Sequence, residues 1–206
     1  MSAATRTAAF PSVPGFTGMA SAAPDLAAEA RRIHAESVTY WDAYAADTFW
    51  RRPARDVWAP VDQVRHLTKS IRAVNQGLVL PRPLLALFFG LARGGTMRSF
   101  QALRERYKEV LANGGSAGGY APRALGESDA TEERRAGIMA EHAAVVAQFA
   151  ATIERWPERS LDRYQLPHPL LGKLTVREMA QFTLLHNVHH VAVAERRRVS
   201  LARDSA

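Results

Sequence analysis

The sequence predicts an all-α protein, an up-down-down-up four-helix bundle with a long helical and loop excursion between its second and third helices. Three observations carry this. Ala, Leu, Arg and Glu dominate the composition while β-branched runs are scarce. Four segments of roughly 20 residues repeat apolar side chains at helical spacing. Pro- and Gly-marked stretches separate them, the longest between the second and third, which suits a bundle with one excursion. A chain of 206 residues suits one domain with tails.

The first predicted helix runs from about Asp25 to Thr48, with Leu26, Ala30, Ile33, Val38, Trp41 and Tyr44 near helical spacing. It ends before FWRRPARDVWAP, a loop marked by Pro53 and Pro60. Pro60 also suits the first turn of the second helix, Pro60 to Gly77, because a first-turn N–H has no helical partner to lose. Val61, Val64, Leu67, Thr68, Ile71, Val74 and Leu78 form its stripe. The excursion holds a short helix or two and the stretch NGGSAGG, Asn113 to Gly119. With neither a preceding strand nor GK[ST], that stretch reads as a connector and not a phosphate loop. The third helix spans about Asp129 to Trp156 and stops at Pro157. The fourth opens on Thr175-Val176-Arg177-Glu178, a capping-box pattern, and runs to about Arg198. The domain therefore covers residues 25–198, between an N-terminal tail over 1–24 and a short C-terminal tail over 199–206.

The formal charge is +7, and apart from Lys69, Lys108 and Lys173 every basic residue is arginine. The arginines are spread out, with short groups at Arg51-Arg52, Arg134-Arg135 and Arg196-Arg197-Arg198 and no aromatic-interleaved stripe. Solvated arginines and cations at a helix C-terminus account for them better than nucleic acid does. The chain has no cysteine, which excludes disulfides, a Cys nucleophile and thiolate metal sites. The first residues lack the apolar core of a signal peptide. The most apolar run, Leu78 to Ala92, is interrupted by Pro81, Arg82 and Pro83 and falls short of the ~20 residues a bilayer needs. A cytoplasmic protein without membrane contact is the expectation.

LLHNVHH, Leu184 to His190, carries three of the seven histidines. His186 and His190 are four apart, so a helix puts them on one face with Cβ atoms roughly 5–6 Å apart. That face also carries Met179, Phe182, Thr183 and Val193 and should point inward. Two readings stand: the rings share a divalent ion, or they bond to water and facing polar groups. A zinc-protease helix is excluded, because Asn187 occupies the place of the Glu in H-E-x-x-H. A third ligand would come from another helix. His66 lies off the main stripe of the second helix, near Asp62, Ser70, Ala73 and Gly77, a face that is either solvent or a cleft. His34 and His142 sit in long helices, in core or surface roles. His168, between Pro167 and Pro169, is placed to bond backbone.

RRPARDVWAPVDQVRHL, Arg51 to Leu67, followed by HPLLGKLTVREMAQFTLLHNVHH, His168 to His190, resembles the DinB/YfiT-like superfamily over roughly residues 25–197. That family starts its second helix on a Trp-Ser-x-x-Glu-x-x-x-His pattern and carries His-x-x-x-His on its last. The resemblance implies a four-helix bundle in which His66, His186 and His190 bind a divalent ion, nickel or zinc above all. His189 matches no ligand position and becomes a residue beside the ligands, lining the cleft or facing solvent. Ala59 stands where the family has a capping Ser, Asp62 where it has Glu, and Val193 where it has Gln. In this frame Asp62 becomes a carboxylate placed to orient His66. Glu178 reads as a capping residue.

The expected function is that of a divalent-metal-dependent enzyme, because three neutral imidazoles leave coordination positions open. Some relatives are S-transferases using low-molecular-weight thiols such as mycothiol or bacillithiol, so a thiol is an implied cofactor beside a small-molecule substrate. Scattered arginines such as Arg65 would meet a thiol's carboxylates. The alternative is a non-catalytic bundle that binds a small apolar ligand or a protein partner, with Leu84, Leu85, Leu87, Phe88 and Phe89 supplying surface for a pocket or a homodimer.

Overall fold

The structure, a computed structural model, describes residues 10–93 and 97–204. Its elements are α1 (Ala23–Asp42), α2 (Ala46–Trp50), α3 (Pro60–Leu78), α4 (Arg82–Phe89), α5 (Phe100–Ala112), α6 (Glu132–Glu154), α7 (Glu158–Leu161), a hairpin of β1 (Gln165–His168) and β2 (Gly172–Thr175), and α8 (Val176–Asp204). The fold is all-α around α1, α3, α6 and α8, with α4 and α5 in the excursion between the second and third core helices. α6 and α8 each pack against both α1 and α3, which sit diagonally opposite.

Cross-helix contacts give the directions. Arg31 meets Glu154 while Arg135 reaches the Trp41 and Tyr44 carbonyls, so α6 runs antiparallel to α1. Thr68 meets His142 and Asn75 meets Val145, so α6 runs parallel to α3. Arg177 pairs with Glu158 beside the start of α1 and Tyr40 bonds Glu195, so α8 runs with α1. The order is up-down-down-up.

Local chemistry sets the helix ends. α1 stops at Asp42, and the shorter α2 takes up the rest of the predicted first helix. Ala59 caps α3 without a side-chain oxygen; the Asp62 carboxylate accepts from the Ala59 N–H at 3.1 Å, so only half of a capping box forms. At α8 the box is complete, with Glu178 Oε2 accepting from Thr175 N at 2.7 Å and Thr175 Oγ1 accepting from Glu178 N at 3.1 Å. Glu178 is buried and also pairs with Arg98, so its work is structural. The segment expected as a plain loop before α8 forms α7 and the hairpin. Gly172, at φ 75°, sits in the left-handed region and turns the chain into β2. His168 Nδ1 accepts from the Leu170 and Leu171 N–H groups in that turn, the backbone role its flanking prolines suggested.

Of the expected N-terminal tail, residues 1–9 lie outside the described residues. Phe10 packs edge-on against Tyr40 and Tyr44, and Phe16 against Phe100. α8 runs on through most of the expected C-terminal tail. On α4, Leu85 is fully buried while Leu87 and Phe88 face solvent.

The apolar core forms two clusters, and a polar layer lies between them. Each core helix contributes one residue to it. Ser37 falls between Ile33 and Tyr40, Thr68 between Ile71 and Val64, His142 between Val145 and Ile138, and Asn187 between Leu184 and Val191. Thr68 Oγ1 donates to the Val64 carbonyl at 2.9 Å, so it accepts from His142 Nδ1 at 3.1 Å. His142 Nε2, Ser37 Oγ and Asn187 Oδ1 are buried without a protein partner among the described residues.

Candidate metal centre

α3 and α8 run antiparallel, which brings position 66 level with positions 186 and 190. His186 Nε2 lies 3.2 Å from His66 Nε2 and 2.9 Å from His190 Nε2, and all three lie within 4.8 Å of one another. His66 and His190 are buried and His186 half-buried.

The outer nitrogens of two rings are fixed. His66 Nδ1 lies 3.1 Å from the Tyr120 carbonyl oxygen, and His190 Nδ1 lies 2.5 Å from Gln63 Oε1. Both oxygens only accept, so each Nδ1 carries the ring hydrogen and each Nε2 turns a lone pair inward. At most one hydrogen, on His186, remains among the three converging nitrogens. Lone pairs this close with too few donors are costly, and a divalent cation satisfies all of them at once. The donor set fits such an ion. Burial is the main cause that holds all three imidazoles below their ordinary range; for His66 the Tyr120 carbonyl opposes it in part and Lys69 adds to it, while crowding of the rings against one another adds to it for His186 and His190. The rings are therefore neutral and able to ligate near pH 7.

Trp58 walls the cluster, stacked on His190 at 5.9 Å between ring centroids and tilted against His66 at 5.0 Å. Phe182 stacks on His186 at 5.4 Å. The three histidines lie in the wall of a cavity of about 710 Å3 whose other walls include Tyr107, Leu166, Met179 and Val193.

A family profile described as the DinB superfamily matches residues 29–194. The chain belongs to the DinB superfamily. No curated protein and no solved structure matches the chain. The matched span of this DinB-superfamily chain takes in α3 and α6 whole, most of α1 and α8, and the three converging histidines.

The residues named from sequence fall into place unevenly. His66, His186 and His190 come together, and the cleft reading of the His66 face is the one the fold adopts. His189 lines the same cavity, edge-on to Tyr107 at 5.4 Å. Its pKa is pushed down to about 4, first by burial and then by Arg196. Asp62 does not orient His66. Its carboxylate faces the Ala59 N–H and Arg52 Nε, at 2.7 Å from the latter, because an acidic side chain in the first turn of a helix folds back onto the helix end. Arg65 donates to the Arg123 carbonyl at 2.7 Å, and Arg197 is the arginine in the cavity wall.

Sequence reasoning missed Gln63, Trp58 and Tyr120. Gln63 is legible in retrospect: three residues before His66, it shares that face of α3 and so points toward α8. Tyr120 acts through its carbonyl, at the end of a 3₁₀ turn, Gly118–Tyr120, that closes the glycine-rich connector. No side-chain pattern encodes such a contact.

Proposed function

We propose that this DinB-superfamily chain is a metal-dependent enzyme, with His66, His186 and His190 holding one divalent ion, and that it conjugates a whole low-molecular-weight thiol to an electrophilic small molecule: the thiol loses its S–H proton and its sulfur forms the new bond to the electrophile, whose leaving group, where it has one, departs with the bonding pair. Nickel and zinc are the foremost candidates, since imidazole-only sites suit both. The carrying observation is that three imidazole Nε2 atoms converge in the wall of a large cavity. A divalent ion held by three neutral imidazoles keeps coordination positions open and supplies Lewis acidity and stabilisation of a thiolate.

The chain's own residues do the rest. Gln63 and the Tyr120 carbonyl hold the ring hydrogens on Nδ1 and so keep Nε2 free. Trp58, Tyr107 and Phe182 shield the cluster from bulk water and give a substrate apolar walls. His189 meets a ligand as a neutral imidazole near pH 7. The chain has no thiol of its own, so the sulfur nucleophile in this reading comes from solution.

Elemental analysis of the purified protein should find about one divalent ion per chain. With that metal verified, conjugation of electrophiles should depend on added thiol and stop with chelation. Metal-loaded protein that conjugates nothing across a panel of thiols defeats the transferase reading and leaves the metal centre standing. The mostly apolar lining of the cavity favours one second reading, a binding module for a small apolar ligand. In that case an apolar dye should bind equally well after chelation, with no turnover.

A further inference from the structure

A second cavity of about 500 Å3 lies on the other side of Trp58 and Arg197, which line both spaces. The loop before α3 supplies Arg51 and Arg52 to it, and the end of α8 supplies Arg197 and Arg198. Among the described residues, no Asp or Glu lines it. Two of the arginines are neutralised from behind, Arg52 by Asp62 at 2.7 Å and Arg198 by Glu195 at 2.8 Å. The other two are not. Arg51 makes no hydrogen bond or ion pair to protein among the described residues, and Arg197 makes one hydrogen bond, to the Trp58 carbonyl at 3.2 Å. Arg52 also keeps a buried Nη2 without a protein partner.

Two guanidinium groups without carboxylates, beside two more in a concave site, form a surplus of positive charge and unused N–H donors. Guanidinium N–H groups match the oxygens of carboxylates and phosphates in geometry as well as charge. Phe10 lies under Arg198, with the guanidinium carbon 4.3 Å from the ring centroid, which fixes that side of the space. We propose that this second cavity is a binding site for an oxyanion, the carboxylate or phosphate group of a small molecule, held chiefly by Arg51 and Arg197. The site does not depend on a metal at the histidines.

The test is calorimetric titration of the full chain, stripped with chelator, with inorganic phosphate and separately with succinate at low ionic strength. At least one anion should bind in the millimolar range or tighter, at about one site per chain. Which anion binds distinguishes the phosphate from the carboxylate source. Arg51→Met should weaken binding about tenfold, the loss expected of one charge-assisted hydrogen bond. Arg51 has no protein partner to lose, so this variant folds as the parent does. Arg197→Met, checked for an unchanged melting curve, should lose at least as much. Arg104→Met, on α5 and away from the cavity, should bind as the parent does. Absence of heat from both anions, or an equal loss in Arg104→Met, overturns the proposal.

Discussion

His142 packs against His34 with ring centroids 5.4 Å apart, and His186 packs against His190 at 4.5 Å, yet the two pairs differ in what surrounds them. His142 is sealed inside the bundle. Its Nδ1 is held by Thr68, a residue of the polar layer that separates two apolar clusters. His186 and His190 meet a third imidazole from the facing helix, and their converging nitrogens lie in a cavity wall. A pair of buried imidazoles on neighbouring turns or helices therefore does not make a metal centre. A third ring, acceptors behind two of the rings that fix their lone pairs inward, and an approach for a ligand give a cluster the capacity to hold a metal ion.

The largest expected effect breaks one side of this comparison only. His66→Ala with His186→Ala should take the metal from about one ion per chain to none by elemental analysis. His34→Ala with His142→Leu should leave it in place. Metal loss in the second pair of substitutions would mean the two groups act as one.

Gln63→Leu sharpens the same contrast. It removes the acceptor behind His190 without touching a proposed ligand. Metal affinity should fall about 10–100-fold, as for other partners of ligating histidines, in a competition titration against a chromophoric chelator.

Acid should act on the sealed side. Burial, with a smaller push from His34, brings His142 down to about 3 from its ordinary 6.5. The folded value lies below the unfolded one, so its stabilising contribution is whole above pH 6.5 and is lost as pH falls toward 3. The other buried histidines add to that slope. In His142→Leu the slope should be shallower by one proton, about 1.4 kcal/mol per pH unit, in urea unfolding across that window.

The smallest effect belongs to Asp62, a carboxylate one turn before His66 in sequence and outside both groups in function. Asp62→Asn should cost about 1–2 kcal/mol of stability through the helix cap and the Arg52 pair. Metal affinity should stay that of the parent. A change in affinity without a change in melting would restore Asp62 to the histidines.

The sequence by itself determined that four long core helices form and roughly where, because periodic apolar spacing and capping signals are local, although it missed the break between α1 and α2 and the hairpin before α8. It also placed His186 and His190 on one face, since a four-residue step on a helix admits little else. The resemblance carried by Arg51 to Leu67 and His168 to His190 singled out His66. Only the tertiary structure decided that His66 faces a cavity and not solvent, because a stripe of small and polar residues fits either. Packing also chose Gln63 and the Tyr120 carbonyl over Asp62 as the acceptors, since these contacts join residues 127 and 54 positions apart, whereas Asp62 is claimed by its own helix end. The polar layer shows the same limit. Ser37, Thr68, His142 and Asn187 look unrelated along the chain, and they form one layer because four helices cross the core at the same height.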